Sequence, residues 1–103
     1  MGFFDFLNAS NAPGQIKEYL DKGAVVLDVR TVEEYNSGHV NGSKHITLAT
    51  VPLHVDDIKS WGKPVIAVCL SGGRSGQATQ FLSNHGVDVI NGGPWQNVAA
   101  LVE

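Results

Sequence analysis

The run Cys69-Leu-Ser-Gly-Gly-Arg-Ser-Gly76 gathers the residue types that make and use a reactive thiolate. Cys69 is the chain's one cysteine, so it forms no intrachain disulfide and by itself holds no structural zinc. A tight loop feeding a helix aims successive backbone N–H groups into one concave site, backed by the positive end of the helix dipole. Gly72 and Gly73 permit backbone angles and a close approach that a Cβ would block. Arg74 adds a permanent charge and a fork of donors suited to an oxyanion; Ser75 is expected as an N-cap or one more donor. A thiolate in such a cradle is stabilised, so Cys69 is expected to ionise below the usual ~8.5. Leu70, Ser71, Gly72, Gly73, Arg74 and Ser75 are thus the candidate substrate-binding residues around a Cys69 nucleophile. Two chemistries fit at this stage: attack on phosphorus, as in cysteine phosphatases, or attack on sulfur, carried as a persulfide.

Such a loop needs a rigid strand before it and a helix after it. Pro64-Val-Ile-Ala-Val-Cys69 is a continuous apolar run, as expected of a strand covered on both faces. Beyond the Gly72-Gly73 turn, Ala78, Phe81 and Leu82 share one face of a helix that ends at Gly86. Ala24 to Val29 is a second buried-strand run. Ahead of it, Asn11 fits an N-cap and Pro13 a first turn, with Ile16, Tyr19 and Leu20 on one face before Gly23. Thr31-Val-Glu-Glu34 is a capping-box pattern opening a short helix closed at Gly38. His45 to Leu48 is expected as a short strand, and Val51 to Trp61 as a helix with Pro52 in its first turn. Val87 to Ile90 reads as a further strand, Gly92-Gly93-Pro94 as a turn, and Trp95 to Val102 as a final short helix. Continuous strands separated by helices predict an α/β fold, a small parallel sheet with helices on both faces. Ligands of such sheets bind at the carboxyl ends of the strands, where Cys69 lies.

At 103 residues the chain is expected to be a single domain, 1–103, able to bury one core. With 43% hydrophobic and 17% charged residues the composition is that of a folded chain. A net charge of −3 with no Lys/Arg cluster weighs against nucleic acid or an anionic membrane as the main partner. No stretch approaches the ~20 apolar residues of a membrane span, so a soluble, cytoplasmic protein is expected. Within it, residues 1–12 are expected as an N-terminal segment of open role. Met1 to Leu7 is apolar but short, interrupted by Asp5 and without the basic residues of a secretory signal. Phe3, Phe4, Phe6 and Leu7 either dock on the body of the domain or anchor a surface or partner.

Four blocks in order resemble the rhodanese family, the thiosulfate sulfurtransferases, in its single-domain form. They are Leu27-Asp28-Val29-Arg30; Glu34-Tyr35 with Gly38-His39-Val40 and Gly42-Ser43; Cys69 through Ser75; and Gly92-Gly93 with Trp95. The sequence departs from the family at Asn41, where proline is common, and at Ser43, where alanine is. Trp95 also follows the glycine pair unusually closely, and no clear first strand precedes Val25. The resemblance implies a sulfurtransferase that moves sulfane sulfur from thiosulfate or a persulfide donor to a thiophilic acceptor through a Cys69 persulfide. It also implies that six residues from Cys69 to Arg74 suit a sulfur atom, whereas related phosphatases have a loop one residue longer. The alternatives are a sulfur-carrier or persulfide-sensing module that serves a protein thiol and, more remotely, a small cysteine phosphatase or arsenate reductase.

The remaining polar residues are expected in supporting roles. Asp28 and Arg30 fit a buried pair bracing the active-site loop, and His39 a hydrogen-bonded packing residue. His45, His54 and His85 lack metal-ligand spacing, and Asp56-Asp57 reads as a solvated helix face. No metal or organic cofactor is expected; the partners would be a small-molecule sulfur donor and acceptor.

Overall fold

The structure, a computed structural model, describes residues 13–102. The Asn11 cap and the apolar Met1–Leu7 segment therefore lie outside the described residues. Helix α1 (Pro13–Asp21) leads into β1 (Val25–Asp28), α2 (Val32–Asn36) and the two-residue strand β2 (Lys44–His45). A 3-10 helix (Leu48–His54) runs into α3 (Val55–Ser60), followed by β3 (Val65–Cys69), α4 (Gly73–Asn84), β4 (Val89–Pro94) and α5 (Trp95–Val102). The strands form one sheet in the order β2-β1-β3-β4, every neighbouring pair parallel. This is the α/β architecture expected from the unbroken apolar runs.

All five residues of β3 are buried, because helices cover both of its faces. Successive side chains alternate between them. Val65, Ala67 and Cys69 join Leu27, Ala78, Leu82 and Ile58 under α3 and α4. Ile66 and Val68 join Ile16, Val26, Ile90 and Val98 under α1 and α5. Each fully buried aliphatic side chain here contributes about 1.5–3 kcal/mol relative to exposure, so the central strand is the least movable part of the molecule. Cys69 is its last residue, fixed from below by that packing.

Three expected elements take a different form. The strand expected over 45–48 shortens to Lys44–His45, and Leu48 already opens the 3-10 helix. The single helix expected over 51–61 divides into that 3-10 helix and α3, with Pro52 inside the former. Proline carries no N–H and crowds the carbonyl four residues back, so a regular α-helix does not run through it. The expected strand 87–90 and turn 92–94 merge into β4, which continues through Gly92, Gly93 and Pro94 and passes straight into α5.

The glycines allow β4 to continue because of where they pack. Asn91 stands opposite Ala67 and Gly93 opposite Val68, leaving Gly92 as the extra residue of a β-bulge. A Cβ on Gly92 would lie 2.7 Å from a methyl of Ile66 and 3.0 Å from one of Val68. Gly93 adopts φ 75°, a conformation that glycine takes without strain.

Candidate active site

The carboxyl end of β3 and the first turn of α4 enclose the Cys69 sulfur. Gly72 is the N-cap of α4, at φ 108°, and the turn it makes folds the loop back over the strand end. Its N–H donates to Cys69 Sγ at 3.0 Å, and the N–H of Ser75 donates at 3.3 Å. The Ser75 hydroxyl lies 3.2 Å from the same sulfur. Ser75 is thus the third residue of the helix rather than its N-cap, and it is buried. Burial by itself pushes the Cys69 thiol up. The Ser75 hydroxyl and the N–H groups of Ser75, Gly72 and Ser71 outweigh it, so the thiol ionises below its ordinary value.

Arg74 stands differently from the expectation. Its Nη1 and Nη2 donate to the two carboxylate oxygens of Glu34 at 2.7 and 3.0 Å. Arg74 and Cys69 sense each other electrostatically, but the stronger influences on the thiol are burial and the local hydrogen bonds. Glu34 also completes the capping box of α2: Thr31 N–H donates to its Oε1 at 3.0 Å, and its own N–H donates to Thr31 Oγ1 at 3.2 Å. Arg74 first, then Thr31, holds the Glu34 carboxyl at about 2. The same bridge raises the Arg74 pKa further. Of the rest of the loop, Gly73 lies at the surface with Ser71, and Leu70 projects into solvent with 52% of its surface exposed.

Asp28 and Arg30 form a buried pair. Arg30 Nε donates to Asp28 Oδ1 at 2.9 Å and Nη2 to Oδ2 at 2.8 Å. The remaining contacts of the Arg30 side chain run to the turn after α2 and to α5. Nη2 donates to the Gly38 carbonyl at 2.7 Å, and the Trp95 ring lies 4.9 Å from the guanidinium carbon. A Cβ on Gly38 would come within 3.2 Å of that same ring. His39 and His45 stack on either side of Tyr35, at 3.8 and 4.4 Å between centroids. Each donates a ring N–H to a backbone carbonyl, His39 to Tyr35 and His45 to Arg30. His54 pairs with Asp57, and His85 bonds the Phe81 carbonyl.

Two residues of the site escaped the sequence reading. In the sequence Glu34 fits the capping box and the Glu34-Tyr35 block and carries no sign of Arg74 beyond the fact that an arginine at such a loop calls for a carboxylate partner. Asn91 accepts the Ser75 hydroxyl proton at 2.6 Å and donates to the Gly72 carbonyl at 3.1 Å. Its only sequence signal is an amide placed in a β-type run just before two glycines. A cavity of about 350 Å³, lined by Lys59, Lys63, Val87 and Asp88 among others, sits at the opposite, amino ends of β3 and β4.

The loop can stabilise negative charge on Cys69 Sγ or on an atom bonded to it, with backbone donors fixed before any ligand arrives. A family model described as a rhodanese-like domain matches residues 12–97. Among solved structures, a rhodanese with anions from E. coli is 32% identical, over 74% of this chain and 92% of its own, at a TM-score of 0.66. A rhodanese-like domain protein from Staphylococcus aureus is 27% identical over 84% of this chain and 86% of its own, with the same TM-score of 0.66. The human single-domain sulfurtransferase shares the fold at 23% identity, over 84% and 95% of the two chains and a TM-score of 0.66. A match over 12–97, with the cysteine loop at the end of a buried parallel strand, makes the chain a member of the rhodanese-like domain family.

Proposed function

We propose that the protein is a sulfurtransferase working through a Cys69 persulfide. The observation that carries the reading is the Cys69 sulfur held by the N–H groups of Gly72 at 3.0 Å and Ser75 at 3.3 Å. The Cys69 thiolate attacks the sulfane sulfur of thiosulfate, a new S–S bond forms, and the old one breaks with its electron pair leaving as sulfite. Cyanide or a thiolate then attacks the outer sulfur, and the S–S electron pair returns to Cys69 as thiolate. The first-turn N–H groups of Gly73 and Arg74 have no carbonyl within the helix to bond and are the donors we assign to the outer sulfur. Arg74, with Glu34 fixing its guanidinium, orients the donor, and Leu70 and Ser71 form the rim. The names of the E. coli and human neighbours support this class of chemistry.

Intact mass tests it. The protein should gain one sulfur on thiosulfate treatment and lose it to cyanide, with Cys69→Ser gaining none. Absence of any cyanide-reversible addition in the native chain rejects the proposal.

A second reading is a carrier that exchanges sulfur with a protein thiol. It is favoured by the exposed Leu70 beside the buried sulfur and by the engagement of Arg74 with Glu34, which leaves less free charge for a small dianion. Faster loading from a protein persulfide than from thiosulfate would select it. A phosphatase is disfavoured by the six-residue span from Cys69 to Arg74. Among the described residues no helix is long and apolar enough to cross a membrane, and a working free thiol suits the reducing cytoplasm, where we place the protein.

A further inference from the structure

Asn91 stands opposite Ala67 on the neighbouring strand and so shares the sheet face that carries Cys69. Its amide orientation is forced by groups that have no choice of role. Gly93 N–H, which can only donate, lies 2.9 Å from Oδ1, and the Gly72 carbonyl, which can only accept, lies 3.1 Å from Nδ2. Oδ1 therefore faces Ser75, and the Ser75 hydroxyl, 2.6 Å away, must donate to it. A hydroxyl carries one proton. While that proton points at Asn91, Ser75 offers Cys69 only a lone pair across the 3.2 Å contact. This arrangement suits a protonated thiol, whose S–H can donate to the oxygen. It opposes a thiolate, which needs the hydroxyl proton for itself.

We propose that Asn91 is a positioning residue that competes with the Cys69 sulfur for the single hydroxyl proton of Ser75 and so sets how readily Cys69 ionises. Ionisation then requires only rotation of the Ser75 O–H from Asn91 toward Sγ, with no heavy atom displaced. Once a persulfide has formed, the charge sits on the outer sulfur and the proton returns to Asn91. This last consequence rests on the sulfur-transfer reading; the competition itself does not.

Few other groups can bias the sulfur. β3, β4 and α5 contribute no ionisable side chain besides Cys69, and α4 contributes only Arg74. Arg74 is paired with Glu34 of α2, and Asp28 at the end of β1 with Arg30. Under the same face, His54 at the end of the 3-10 helix is paired with Asp57 of α3, whose remaining ionisable residues, Asp56 and Lys59, are exposed.

The test is the pH profile of Cys69 alkylation by iodoacetamide, in the native chain and in a Ser75→Ala background. Asn91→Ala should lower the midpoint when Ser75 is present, raising the rate at pH 7 by about threefold to tenfold, the scale of one hydrogen bond. In the Ser75→Ala background the same substitution should move the midpoint little. A midpoint that stays or rises in the Ser75 chain, or falls equally in both backgrounds, overturns the proposal. Should Asn91→Ala fail to fold, Asn91→Asp keeps the size and the acceptor. It should raise the midpoint, and by less in the Ser75→Ala background; an equal rise in both is a pure charge effect and overturns the proposal. Thiosulfate loading is read separately, so a chain whose midpoint responds as stated but takes up no sulfur sinks only the sulfur-transfer reading.

Discussion

Glu34 and Arg74, 40 positions apart, meet oxygen to nitrogen at both ends of their planar groups. The contact ties the capping helix α2 to the head of α4 and holds the guanidinium at the loop that surrounds Cys69. Because the Glu34 carboxyl sits at about 2 instead of its ordinary 4.5, the bridge favours the folded state at any pH above about 4.5. That contribution is lost as pH falls from 4.5 toward 2. Thermal melts at intervals from pH 6 to 2 should show a smaller decline for Glu34→Gln than for the native chain, with the variant melting lower at pH 6. Parallel declines in both would place the acid sensitivity elsewhere.

Arg74 should tolerate replacement by lysine poorly. A lysine supplies the charge but not the fork that engages both Glu34 oxygens. Arg74→Ala is expected to slow sulfur loading about tenfold or more, with Arg74→Lys intermediate. Stopped reactions followed by mass spectrometry provide the rates. Equal rates for Lys and Arg would mean that charge alone matters.

The Cys69 thiol should titrate below a free cysteine measured alongside it, and Ser75→Ala should raise its midpoint. A lowered thiol pKa also makes folding pH-dependent. The stabilisation is fully present above the unfolded thiol's pKa and disappears as pH drops through the lower folded value. Denaturant midpoints should therefore rise on the alkaline side of neutrality for the native chain and stay flatter for Cys69→Ser.

How much of this was legible in the residues depended on whether a signal was local. Pro64 to Cys69 and Ala24 to Val29 announce themselves because a strand buried on both faces needs an unbroken apolar run. The Cys69–Ser75 loop is equally local. Gly92 and Gly93 read as a turn because the reason for Gly92 lies elsewhere, where methyl groups of Ile66, Val68 and Val98 occupy the space its side chain would need, while Gly93 takes a positive φ inside the strand. Pro52 fits the first turn of the one helix expected over 51–61, and nothing local to it gives the 3-10 form taken instead over Leu48–His54. Glu34 and Asn91 were passed over as site residues because their partners are 40 and 16 positions away, and each also fits a local role.

Gly92→Ala should destabilise the fold by about 1–3 kcal/mol, the usual cost of overpacking, since the added methyl meets three side chains at 2.7, 3.0 and 3.1 Å. Urea unfolding would measure it. A change under 0.5 kcal/mol would show that the bulge relaxes.

Insertion of one glycine between Gly73 and Arg74 should leave the sheet intact yet slow sulfur loading by ~10²-fold, because a displacement near 1 Å at the reacting atoms is enough. The inserted form should melt close to the native one. Native-rate transfer by a well-folded insert would remove loop size from the argument.

The bonds that activate Cys69 all come from the head of α4, whose own place depends on β3 beneath it. A chain emerging from the ribosome must release α4 before the Gly72 turn can close on the sulfur, so until then its cysteine is an ordinary thiol. Chemical reactivity here arrives with the finished tertiary structure and departs with it. A heat-damaged or partly synthesised copy thus carries a slow cysteine rather than an unguarded nucleophile.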